Sequence, residues 1–139
     1  MARILVLDDE KDACDLIERI LSPPHEVVTF TEEEAAIDYF KRNPVDLAIL
    51  DIKLKTMSGV EVLAVLKERA PTVKALMLTG YPTVKTAQHA IALGAYDYLT
   101  KPLDIDQLAG KVRQVLSPPE KPDKSGRAEP LAEDLSPSE

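Results

Sequence analysis

Five short runs of apolar residues, separated by stretches in which apolar residues recur every three or four positions, leave this chain few folds to choose from. The runs occupy positions 4–7, 27–30, 47–50, 75–78 and 96–99. The first four are apolar at successive positions, so both faces need cover, as parallel strands between two helical layers receive it. The fifth alternates more, which suits an edge strand with one face partly exposed. Helical spacing falls between the runs: Ala13, Leu16, Ile17 and Ile20; Ala36, Ile37 and Phe40; Val62, Leu63 and Leu66; Val84, Ala87 and Ile91; Ile105, Leu108, Val112 and Val115. Thr31 with Glu34 three residues on predicts a capping box, and Asp104 an N-cap. Pro23-Pro24, Asn43-Pro44, Pro71 and Gly94 mark helix ends. The order βαβαβαβαβα predicts a three-layer α/β/α sandwich around a five-stranded parallel sheet.

With 139 residues the chain is of one-domain size and can build a core without a staple. The single Cys14 excludes an internal disulfide and a cysteine-based zinc site; helical spacing places it at the border of the first helix's buried face. His25 falls in a loop, where solvation is expected, and His89 on the fourth helix, where exposure is the default. Glu32-Glu33-Glu34 reads as a favourable first helical turn. No apolar run approaches the roughly 18 residues of a membrane span and no secretory signal opens the chain, so a cytoplasmic location without membrane insertion is expected. The net charge of −7 and the lack of a basic run argue against direct nucleic-acid binding. Composition changes after Leu116. Residues 117–139 hold five of the 11 prolines, with three basic against six acidic residues and little apolar content. They predict a disordered acidic, Pro-rich tail or linker following a domain over residues 1–116.

Parallel α/β sheets bind ligands beyond the carboxyl ends of their strands. Those positions hold Asp8-Asp9 after the first run, Asp51 after the third, Thr79 after the fourth and Lys101 after the fifth. Three carboxylates brought together repel one another unless a cation sits among them. Oxygen donors without a nearby His or Cys favour Mg²⁺ over zinc. A carboxylate can attack phosphorus to form an acyl phosphate, while a metal ion and a lysine neutralise the oxygens and a hydroxyl hydrogen-bonds one of them. Alone, Asp8 and Asp9 would read as helix caps and Lys101 as a surface lysine; their joint placement at strand ends favours the chemical reading.

The residues DDE at 8–10, the lone Asp51, LTGY at 78–81 and GAYDYLTKP at 94–102 together resemble the receiver domain of two-component response regulators. That resemblance implies the flavodoxin-like strand order 2-1-3-4-5 and Mg²⁺ dependence. It implies Asp51 as the phosphorylated residue, with Asp8, Asp9, Asp51 and the backbone carbonyl of Lys53 as metal ligands. Thr79 would be the switch hydroxyl, Tyr98 the switch aromatic and Lys101 the partner of the acceptor carboxylate and then of the phosphate. The Lys101–Pro102 bond would be cis. A sensor histidine kinase or phosphotransfer protein would supply the phosphoryl group. The switched face, formed by the fourth helix, fifth strand and fifth helix, would control an effector protein, a missing output domain or a homodimer. Lys55, Thr56, Ser58 and Leu103 depart from residues common in the family, and Lys53 and Tyr81 hint at slow self-hydrolysis.

Three alternatives compete. An aspartate-nucleophile phosphohydrolase needs a second carboxylate two residues after the nucleophile, where Lys53 stands. A flavin or nucleotide carrier wants a Gly/Ser/Thr-rich phosphate loop after the first strand, and the acidic DDE would repel phosphate. A non-phosphorylated structural receiver acting in dimerisation would not need the complete acidic set.

Overall fold

Alternation along the central strands divides the interior into two cores, one on each side of a parallel sheet. The computed structural model describes residues 2–54, 58–80 and 84–117. The elements are β1 (Arg3–Leu7), α1 (Lys11–Leu21), β2 (Glu26–Phe30), α2 (Glu33–Arg42), β3 (Leu47–Asp51), α3 (Gly59–Arg69), β4 (Lys74–Thr79), α4 (Val84–Ala92), β5 (Asp97–Thr100) and α5 (Ile105–Leu116). Every strand pair is parallel and the sheet order is β2-β1-β3-β4-β5.

Leu5, Leu7, Ala48, Leu50, Ala75 and Met77 face α2, α3 and α4, where they meet Ala36, Phe40, Val62, Leu63, Leu66 and Ala90. Ile4, Val6, Leu47, Ile49, Leu76 and Leu78 face α1 and α5, against Cys14, Ile17, Leu21, Leu108, Val112 and Val115. Each large aliphatic side chain so buried contributes about 1.5–3 kcal/mol. Because β1, β3 and β4 are covered on both faces, their sequences are apolar at consecutive positions.

Several local expectations are corrected. The strand at 27–30 is a half-exposed edge, because the order leaves β2 with one neighbour. The Thr31–Glu34 capping box does not form: α2 starts at Glu33 behind Glu32, with no side-chain cap. The capping box belongs instead to Ser58 and Glu61 at the start of α3. Asp104 caps α5 as expected, accepting from the Gln107 N–H at 2.9 Å. The buried face of α1 is Cys14, Ile17 and Leu21, a rotation from the expected stripe that puts Cys14 inside it. Ile105 and Ile91, assigned to buried stripes, are exposed, and Tyr96 precedes β5 rather than belonging to it. His25 is half-buried, and its Nδ1 accepts from the Ala2 N–H at 3.1 Å. Glu33 and Glu34 do fall in the first turn of α2, as read, and Glu33 is buried there. The side chains of Val84 and Ala87, together with Lys55, Thr56, Tyr81 and residues 118–139, lie outside the described residues.

The turn after α4 depends on Gly94, which adopts φ +106°. The Gly94 N–H donates to the Ile91 carbonyl, and the Ala95 N–H to that of Ala90. An added Cβ would also stand 2.9 Å from Lys67 Cε. Gly94→Ala is expected to lower unfolding free energy by about 1–2 kcal/mol. In urea titrations this moves the midpoint down with an unchanged slope.

Candidate functional site

Four strands deliver their last residues to one rim. Asp8 follows β1, Asp51 closes β3, Thr79 closes β4 and Lys101 follows β5. The register sets Asp51 opposite Leu78 and Thr79 opposite Thr100, so these side chains emerge at similar height. Backbone bonds pin the rim: Asp8 N–H to the Phe30 carbonyl at 3.1 Å, Ile52 N–H to Leu78 at 2.9 Å and Lys101 N–H to Thr79 at 2.8 Å. The Cys14 thiol donates to the Asp8 carbonyl at 3.4 Å and to that of Phe30 at 3.6 Å. Burial and the nearby Asp8 charge push its pKa up to about 11, which keeps it a neutral donor.

Charge is concentrated here with little water to screen it. Asp8 and Asp51 are buried, and one oxygen from each of Asp8, Asp9 and Asp51 lies within 4.8 Å of the others. The Lys101 ammonium sits 2.8 Å from Asp8 Oδ2, 3.1 Å from Asp51 Oδ2 and 3.6 Å from Glu10 Oε1. Burial, then the Asp8 charge, raises the Asp51 pKa, and the hydrogen bonds from Lys101 and the Lys53 N–H only partly offset them. For Lys101, burial opposes the charge, but bonding to Asp8 and Asp51 and their negative charges prevail and raise its pKa above the lysine range.

The donor set fits a hard divalent cation. All three side chains offer carboxylate oxygens, and the buried Asp8 Oδ2 has the Lys101 ammonium 2.8 Å away as its neighbour. An oxygen of that kind retains lone pairs for a metal.

Residues 4–113 match the sequence profile of the response regulator receiver domain. The chain belongs to that family. Among curated relatives, this receiver is 31% identical over 115 residues to the transcriptional regulatory protein ZraR of Escherichia coli, covering 82% of the chain and 26% of the relative. It is 36% identical over 111 residues to a putative NtrX-like response regulator of Rickettsia bellii, covering 76% and 23%. The chain thus spans about a quarter of those relatives' length. Among solved structures, a CheY-like receiver domain protein of Methanospirillum hungatei superposes with TM-score 0.78 at 29% identity, covering 82% of this chain and 92% of that one. NtrX of Brucella abortus gives 0.78 at 35%, covering 83% and 27%.

Within the receiver, the rim gathers Asp8, Asp9, Asp51, Thr79 and Lys101 from the sequence candidates. Lys53 is exposed, and its N–H donates to Asp51 Oδ1 at 3.1 Å. Tyr98 is half-buried against the core beneath α2, α3 and α4. The Lys101–Pro102 bond is cis. Glu10 was not singled out from the sequence, yet its N–H donates to Asp8 Oδ1 at 2.9 Å and its carboxylate faces Lys101. The third acid of the DDE run was the available signal. No described helix is long and apolar enough to cross a membrane.

A raised Asp51 pKa means the fold tolerates the Asp51 charge less well than the unfolded chain does. Without divalent ion, Asp51→Asn should therefore unfold at higher denaturant at pH 7, by on the order of 1 kcal/mol. The gap should close as pH falls through the folded pKa of Asp51 toward its unfolded value, where wild type loses the same charge.

Proposed function

We propose that this receiver takes a phosphoryl group onto Asp51 from the phosphohistidine of a sensor histidine kinase or phosphotransfer protein, with Mg²⁺ bound. The observation that carries this reading is the Lys101 ammonium at 2.8 Å from Asp8 and 3.1 Å from Asp51, on a rim lined by Asp9. Asp8, Asp9, Asp51 and the Lys53 backbone carbonyl hold the ion in this reading. Once bound, it neutralises charge on the transferring group's oxygens.

An Asp51 oxygen attacks phosphorus as the P–N bond breaks, and the departing imidazole keeps the electron pair of that bond. Lys101 compensates charge on the phosphoryl oxygens, and the Thr79 hydroxyl donates to one of them. Tyr98 turns inward behind Thr79, shifting the population of the face made by α4, β5 and α5. The exposed apolar side chains Ile91, Tyr96 and Ile105 are consistent with a contact surface there, for an effector, an output domain or a second copy. On this account the chain is a cytoplasmic phosphoacceptor that assists its own phosphorylation and slow dephosphorylation, not an enzyme turning over a free substrate. Residues 1–116 are the receiver and 117–139 the acidic, Pro-rich segment that follows it.

Incubation with a small acyl-phosphate donor and Mg²⁺ should add one phosphoryl group by intact mass. Asp51→Asn, or omission of divalent ion, should abolish the gain; a wild type that gains nothing contradicts the reading. Lys101→Ala should remain folded by circular dichroism and still blunt the effector's response to the donor, because the phosphate loses its cation.

A further inference from the structure

The peptide group joining Ile52 to Lys53 is held at both ends. Its N–H, on Lys53, donates to Asp51 Oδ1 at 3.1 Å, and its carbonyl, on Ile52, accepts from the Gly59 N–H at 2.7 Å. A peptide unit is planar and stiff, so fixing its oxygen also fixes where its N–H points. The preceding peptide is gripped as well. Its N–H, on Ile52, donates to the Leu78 carbonyl at 2.9 Å, and its Asp51 carbonyl lies directly against Gly59.

A Cβ at position 59 would stand 2.0 Å from the Asp51 oxygen, 2.7 Å from its carbonyl carbon and 2.9 Å from Ile52 Cα. These are backbone atoms and cannot swing aside as a side-chain tip can. Gly59 opens α3, where alanine would ordinarily be the better helix former. Close approach is therefore the reason for glycine here. The capping box fastens this first turn: Ser58 Oγ accepts from the Glu61 N–H at 3.2 Å and Glu61 Oε1 from the Ser58 N–H at 2.9 Å.

We propose that Gly59 is a positioning residue for the phosphoryl acceptor, seating α3 on the backbone at 51–52 so that the Lys53 N–H holds the Asp51 carboxylate in its reactive orientation. This rests on the receiver chemistry proposed for Asp51. Adding a methyl group at 59 moves α3 or rotates the Asp51 peptide. Either shift turns the Lys53 N–H off the carboxylate.

The test uses the full 139-residue chain and follows phosphoryl gain by intact mass with a small acyl-phosphate donor over a range of Mg²⁺ concentrations. Wild type, Gly59→Ala and Val112→Ala are compared at a temperature where all are folded. Val112 is buried on the α1–α5 side of the sheet, so its truncation costs stability without touching α3. Gly59→Ala should react on the order of tenfold slower at saturating Mg²⁺, while Val112→Ala reacts at the wild-type rate. A wild-type rate in Gly59→Ala overturns the proposal, and so does an equal slowing in Val112→Ala, which would assign the loss to stability. Should Gly59→Ala not fold, Ser58→Ala carries the test, with a slowing of about twofold or more expected and an unchanged rate overturning it. A wild type that gains no mass instead overturns the chemistry proposed for Asp51.

Discussion

Asp8 and Asp51 leave neighbouring strands side by side, buried, where two negative charges would repel strongly without a cation. Lys101 supplies one from the end of β5, across β4. Neither carboxylate can move away, because each sits at the end of a strand hydrogen-bonded on both sides. At Asp51 the ammonium does not fully offset burial and the neighbouring Asp8 charge, so its pKa stays raised. The rim is thus under electrostatic stress while built on rigid backbone, the condition under which a site is ready for a second cation and for an incoming charged group.

Stiffness comes from packing that has little to do with charge. Two aliphatic cores clamp the sheet, and close backbone contacts carry their order up to the rim. The Cys14 thiol ties the carbonyls that follow β1 and end β2, and Gly59 lets α3 rest on the backbone beside Asp51. At position 59 there is no room for even a Cβ.

The architecture was legible in the sequence because consecutive apolar runs and amphipathic segments have different periods, and because chemical side chains stood at four strand ends. Thr79 and Lys101 could be placed beside Asp51 before any coordinates, since strand ends of a parallel sheet share one edge. What periodicity could not carry was lateral position. It does not say that β2 is an outer strand, so residues 27–30 looked fully covered. It does not resolve a helix face to better than one residue, which displaced Cys14 from the interior and set Ile105 within it. The capping box went to Thr31 because the Thr-x-x-Glu pattern occurs there, although the chain still runs extended through Glu32. The need for glycine at 59 depends on two segments meeting in space and leaves no local signature.

The sheet also acts as a partition. Among the described residues, the buried side chains facing α1 and α5 and those facing α2, α3 and α4 form two separate clusters with the sheet between them. Volume changes on opposite sides should combine additively, whereas those within one layer should compensate or aggravate each other. Such a molecule can exchange the residues of one helical layer as a group while the other, and the strand tips between them, stay as they were.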